Sequence, residues 1–207
     1  MPAAIVLALI GGYADAVGYL RYHAFAGMMT GNTVLLGLAL FHRAELPAWD
    51  YAGLLAIFFA AAVTVFVLLR RIPPIWLLAS EAALILLADT FFGVEWAAIF
   101  LVAAMGIQNP VAARFGVPIN TTFITGDILR FAEGLARRWH GPTPAHAASD
   151  GFAIYGWVWL GYALGAALGA AALRVLDRPL IVPAALLAFV YAWDRAHASP
   201  QSHNPSS

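Results

Sequence analysis

Apolar residues run in eight stretches along this chain, and the polar positions that interrupt them fall in corresponding places twice. A bilayer core of about 30 Å needs about 20 helical residues to cross it. Six stretches approach that length, 3–20, 49–69, 74–92, 96–113, 151–174 and 180–193, and are read as transmembrane helices, the last of them short. Two more, 27–41 and 121–135, are shorter or more polar, and each opens at a Thr-Gly pair. The second carries Asp127, Arg130 and Glu133. Ionisable groups packed that closely face lipid only at a cost of several kcal/mol. This stretch is therefore expected to be buried in protein, to line water, or to pass only partway through the membrane.

The interruptions repeat. GYADAVGYLRYHAFAGMMTGN at 12–32 returns in degenerate form as GIQNPVAARFGVPINTTFITGD at 106–127. In each copy a glycine is followed three residues on by Asp15 or Asn109, and two further on by Val17 or Val111. A basic residue, a phenylalanine and the triplet Thr30-Gly31-Asn32 or Thr125-Gly126-Asp127 complete the motif. Gly12 and Gly106 lie 94 residues apart and the two threonines 95. Recurrence at a nearly fixed offset calls for two related units.

The connections correspond as well. Polar links at 42–50 and 137–150 end in aspartate, and arginine-proline turns occupy 70–74 and 177–179. One membrane domain of two repeats, about 3–92 and 96–193, is expected, followed by a disordered polar tail at 194–207. If the Thr-Gly segments cross fully, the repeats are parallel; if they are half-helices, each unit has three crossings and the repeats are inverted. Arginine counts in the loops do not choose between these. The polarity of the short segments favours inversion, since discontinuous helices in matching positions are how inverted-repeat transporters build sites. Both termini then face the cytoplasm.

Composition agrees with the pattern. Hydrophobic residues make up 62% of the chain and charged ones 11%, with a mean hydropathy of +0.80, against about 25% charged in soluble domains. The expected fold class is an all-α integral membrane protein. Zero net charge offers no nucleic-acid surface, and all 11 basic residues are arginine. Without lysine there is no phosphate loop for ATP. Without cysteine there is no disulfide or thiolate chemistry. The first residues lack the basic region of a signal peptide, so 3–20 is read as a retained helix.

GYADAVGYL followed by MTGNTVLLG, and GIQNPVAARFG followed by NTTFITGDILRFAEGL, resemble the two signatures of the YoaK family, a domain-of-unknown-function family of small bacterial inner-membrane proteins. The resemblance spans nearly the whole chain. It implies an inner-membrane protein with about six helices and supplies no substrate.

The repeated motif suggests its own chemistry. Threonine at a helix start can cap first-turn amides, and glycine lets other groups approach the backbone. Two such ends at membrane depth, both with free amides, would favour an anion or a polar carbonyl group. Residues 22–29 and 117–124 favour an extended approach to those ends, similar at the level of fold to the crossed-strand centre of uracil and sulfate permeases. Asp15, Thr30, Gly31, Asn32, Gln108, Asn109, Thr125, Gly126 and Asp127 are thus candidate solute-binding residues. Asp15 and Glu81, both inside apolar helices, are candidate proton carriers.

Each has a structural alternative. Asp15 could pair with Arg21 or Arg114, Arg130 with Glu133, and Glu81 could hydrogen-bond while protonated. Gln108-Asn109-Pro110 is expected to break its helix. Gly161, Gly165 and Gly169 form a packing face, used either within the chain or in a homodimer. The histidines lack metal-site spacing, and no metal or cofactor is expected. The tryptophans fall near segment ends, as an interfacial belt should.

Three classes of function follow. The first is a secondary transporter or channel-like protein for a small polar or anionic solute, lodged between the Thr-Gly helix ends. The second is a non-transporting scaffold or accessory subunit. The third is an intramembrane aspartyl protease pairing Asp15 with Asp127.

Overall fold

The computed structural model of the chain describes residues 2–90, 94–113, 124–140 and 152–197. Among them are eight helices and no strand: α1 (Pro2–Tyr22), α2 (Met29–Phe41), α3 (Ala48–Leu68), α4 (Pro74–Thr90), α5 (Val94–Ala112), α6 (Ile124–His140), α7 (Ala153–Ala172) and α8 (Ile181–His197). Each overlaps one of the eight stretches, but α6 continues to His140, so the start of the expected polar link at 137–150 is helical. Helices α1, α3 and α7 are long and apolar enough to cross a bilayer by length and composition alone. Prolines set several boundaries: Pro47 sits extended before α3, and Pro74 takes the first position of α4, where its missing N–H costs nothing. Pro110, expected to break its helix, lies inside α5, which continues to Ala112. So near the C-terminal end, a proline removes one hydrogen bond without a long helix beyond it to kink. Helix α8 runs past Trp193 to His197.

The helix directions follow from a few contacts. Gly161, Gly165 and Gly169 on α7 lie against the backbone or side chain of Ile5, Leu9 and Tyr13 in that order, so α1 and α7 run parallel. Gly12 answers from α1, facing the carbonyl of Tyr162 and the amide of Ala166. A Cβ at Gly12 or Gly165 would overlap a carbonyl oxygen of the opposite helix. This is close packing of the small-residue kind, and it assigns the glycine face of α7 to a partner within the chain. Gly106 of α5 meets Phe58 and Ala61 of α3 in a similar way.

Helices α1 and α5, by contrast, run antiparallel. Gln108 donates to the Leu7 carbonyl at 2.8 Å, while Leu101 reaches Gly18. At the end where α1 finishes, Tyr51 donates to the His23 carbonyl at 3.0 Å and Arg21 faces Asp89 at 3.8 Å, Asp89 also taking a backbone hydrogen bond from Leu180; nearer the middle of α1, Tyr13 donates to the Pro179 carbonyl at 2.7 Å. That end therefore gathers the start of α3, the end of α4 and the start of α8. A core of Leu7, Ile10, Tyr13, Val17, Leu101 and Met105 fills the space between. Trp49, Trp76, Trp96, Trp157, Trp159 and Trp193 point outward near helix ends, as an interfacial belt would.

Candidate functional site

The first motif builds a hairpin that turns back on α1. His23 adopts φ 56°, the left-handed turn that stops the helix, and its amide donates to the Tyr19 carbonyl. The backbone then retraces α1: Ala24 and Ala26 pass Gly18, whose missing Cβ leaves them room. The amides of Gly27 and Met28 donate to Asp15 Oδ1 at 2.6 and 3.1 Å. Helix α2 thus starts level with Asp15, about 10 Å inside the end of α1 at 1.5 Å per residue. It then runs back out, for Leu35 and Leu38 share a cavity of about 420 Å³ with Tyr19, His23, Arg43 and Tyr51 at that end.

Asp15 is 3% exposed and both its oxygens are engaged. Oδ2 accepts from the Tyr162 hydroxyl of α7 at 2.6 Å. The expected pairing of Asp15 with an arginine is therefore replaced by two amides and a phenol, and Arg21 faces Asp89 instead. A carboxylate suits this place because it lies at the positive end of α2 and satisfies amides that lack helical partners.

Thr30 does not cap. The residue at the N-cap position is Met28, without a side-chain hydrogen bond, and Thr30 is the exposed second residue of α2. The capping task has passed to Asp15, reaching across from another helix. Asn32, fully buried, finishes the hairpin: its Oδ1 accepts from the Phe25 amide at 2.9 Å and its Nδ2 donates to the Phe25 carbonyl at 2.8 Å. One carboxamide supplies the two bonds a neighbouring strand would give. The extended approach thus needs no sheet. Gly31 lies under the Phe25 ring, which stacks on Tyr19 at 4.8 Å.

The second motif is described in part, residues 114–123 lying outside the described residues together with Arg114. Helix α6 runs antiparallel to α7, with Phe131 at Gly156 and Gly134 at Phe152. Its first turn is accordingly the end farthest from the start of α7. Thr125 and Gly126 are exposed there, while Asp127 is 3% exposed, with a buried Oδ2 that has no hydrogen-bond partner. Glu133 pairs with Arg137 instead of Arg130, one full turn on. Arg130 lies over the Tyr155 ring of α7 at 5.3 Å.

The remaining candidates lie deeper. Gln108 is fully buried, and Asn109, partly buried, donates to the Met105 carbonyl at 3.2 Å. Glu81 is fully buried in α4, and neither oxygen has a hydrogen-bond partner. Tyr162 and the clamp made by Asn32 were not apparent from the chain. A tyrosine beside the first glycine of a packing face, opposite an intramembrane carboxylate, is the signal that could have found the former.

The comparisons with known proteins agree with this architecture. The chain is 28% identical over 148 residues to the UPF0700 transmembrane protein YoaK of Bacillus subtilis (strain 168), covering 64% of this chain and 66% of that protein, just under two thirds of its length. It is 31% identical over 191 residues to the UPF0700 transmembrane protein RA0705 of Rhizobium meliloti (strain 1021), covering 87% of this chain and 80% of the relative. No solved structure matches. The profile of the family described as "Protein of unknown function (DUF1275)" matches residues 3–193, and the chain belongs to that family of polytopic membrane proteins.

Proposed function

We propose that the protein is a secondary transporter of the bacterial inner membrane, built from two inverted halves, that moves a small polar solute together with a proton. The observation that carries this reading is the antiparallel course of α1 and α5, the helices that bear the two copies of the motif. Helix exchange between halves (α1 with α5, α2 with α6, α3 with α7, α4 with α8) supports it further, because it maps the observed packing onto itself. The pair α1 and α7 becomes α5 and α3, α2 with α3 becomes α6 with α7, and α4 with α5 becomes α8 with α1. On this reading α2 and α6 are half-helices re-entering from opposite faces, and the other six helices cross.

The chemistry narrows the solute. Asp15 already occupies the amide end of α2, and Asp127 stands just inside α6. Buried Glu81 adds a third carboxyl. Carboxyls at these points disfavour a free anion and favour a solute rich in hydrogen-bond donors, with Glu81 or Asp127 carrying the proton. Asp15 has both oxygens taken by amides and Tyr162, so it lacks the shared proton that a protease pair with Asp127 would need. We assign no catalytic role.

A non-transporting scaffold is supported by one observation: the first hairpin is satisfied internally, and the cavity beside it is lined by residues other than Thr30. Flux separates the two readings. In proteoliposomes holding a pH dye, a panel of nucleobases, amino acids and small carboxylates is offered in turn. Solute-driven acidification that falls in Glu81→Gln and Asp127→Asn is expected. An identical response in wild type and in protein-free liposomes across the panel would leave the scaffold.

A further inference from the structure

In the two motifs one carboxyl and one carboxamide fill the same two positions, with the types exchanged: Asp15 with Asn32 in the first, Asn109 with Asp127 in the second. The first hairpin shows what each position asks for. At the first position the side chain only accepts, from the amides of Gly27 and Met28 and from Tyr162. A carboxamide oxygen also accepts, so asparagine can fill such a position without a charge; the Nδ2 of Asn109 donates to the Met105 carbonyl at 3.2 Å.

The second position is stricter. Asn32 must accept from one backbone amide and donate to one carbonyl. A carboxylate has no donor, and its second oxygen would face a carbonyl; a carboxylic acid has one donor and one acceptor and reproduces the pattern. Asp127 stands in this position, 3% exposed, with its buried Oδ2 unpartnered. From its own helix Arg130 acts on it, with its guanidinium over the Tyr155 ring. From α7, the helix packed against α6, the titratable groups are Tyr155 and Tyr162, and the latter donates to Asp15.

We propose that Asp127 is a proton-binding site: as an acid it offers the donor and acceptor that Asn32 offers in the first half and seats the first turn of α6, and as a carboxylate it lets that turn go. The proton comes from water and returns to it, with no other bond made or broken. This rests on the two-halves reading but not on transport. It places the pH response of the second half in its clamp, whereas in the first half the clamp residue Asn32 does not titrate and the carboxyl, Asp15, is held by two amides and Tyr162.

The test uses the absence of native cysteine. Single cysteines replace Thr125 or Thr30, both exposed second residues of their helices, in full-length protein in nanodiscs, and are labelled with a charged maleimide. Each rate is divided by the thiolate fraction measured for that cysteine before the ratio is taken, because the two thiols sit in different surroundings. Between about pH 5 and about pH 8 that ratio is expected to rise about tenfold in favour of Thr125→Cys, the change one unit of protonation linkage brings. Asp127→Asn should hold it low and flat.

The reciprocal change, Asn32→Asp, should make Thr30→Cys labelling pH-dependent in turn, provided the variant elutes as a single species. A ratio that stays constant with pH in otherwise wild-type protein overturns the proposal. Responsiveness at Thr125→Cys that survives Asp127→Asn assigns the proton elsewhere and overturns it too. If the Asp127 results hold but Asn32→Asp does nothing, the equivalence of the two positions fails while transport stays open.

Discussion

The two helices that open at a Thr-Gly pair, α2 and α6, are held in different ways. Helix α2 is held by residues that finish every bond they start: Asp15 on two amides and a phenol, Asn32 on both backbone atoms of Phe25, and Gly31 under an aromatic ring. Helix α6 shows a buried carboxyl with an unsatisfied oxygen and an open Gly126, and it relies on a polar face of Arg130, Glu133 and Arg137. The lesson is that a duplicated motif need not be a duplicated site. One copy has spent its carboxyl and carboxamide on architecture; in the other, Gln108 and Asn109 are bonded to backbone carbonyls while Asp127 keeps a buried oxygen without a partner among the described residues.

The comparison is broken most severely at the α1–α7 glycine face, against which both helices are set. Gly165→Leu would drive a side chain into the Leu9 backbone where no void exists. Loss of about 3 kcal/mol or more, seen as aggregation or a lower unfolding midpoint in detergent, is expected. Next comes Asp15→Ala, which strands two amides and the Tyr162 hydroxyl and should cost about 3 kcal/mol, whereas Asp15→Asn keeps an acceptor and should cost about half as much.

Asn32→Ala removes the clamp on Phe25 and should cost about 1–3 kcal/mol. Asp127→Asn, at the matching position, should be neutral or stabilising. Equal losses for these two would erase the contrast. Tyr162→Phe, which deletes one hydrogen bond to Asp15, is expected to lose about 1–1.5 kcal/mol. Smallest is Glu133→Gln, which breaks an exposed i,i+4 pair worth about 0.3–0.5 kcal/mol.

Much of the helix layout could be read from the chain, because in a membrane protein length and apolarity report directly on helices. The Thr-Gly starts likewise pointed to α2, which at 13 residues is short, whereas α6, read as short, has 17 residues like α4 and α8 and is set apart by its polarity alone. What the chain hid was which group satisfies which. Thr30 looks like a cap because threonine caps locally, yet Asp15 does the capping from a different helix. The glycines of α7 read as a packing face without naming the partner, since α1 lies more than a hundred residues away and only tertiary packing brings Gly12 opposite Tyr162. Pro110 read as a break, but its position in the last turn of α5 lets the helix pass.

The central claim is that α2 and α6 are half-helices re-entering from opposite faces of the membrane. Single cysteines at Glu45, just after α2, and at Ala136, near the end of α6, both exposed, are placed in the cysteine-free protein in intact cells and treated with an impermeant thiol reagent. Labelling of one site from outside and of the other only after the membrane is opened is the expected result. Labelling of both from the same face would mean that α2 and α6 cross fully and that the halves are parallel, contradicting the claim.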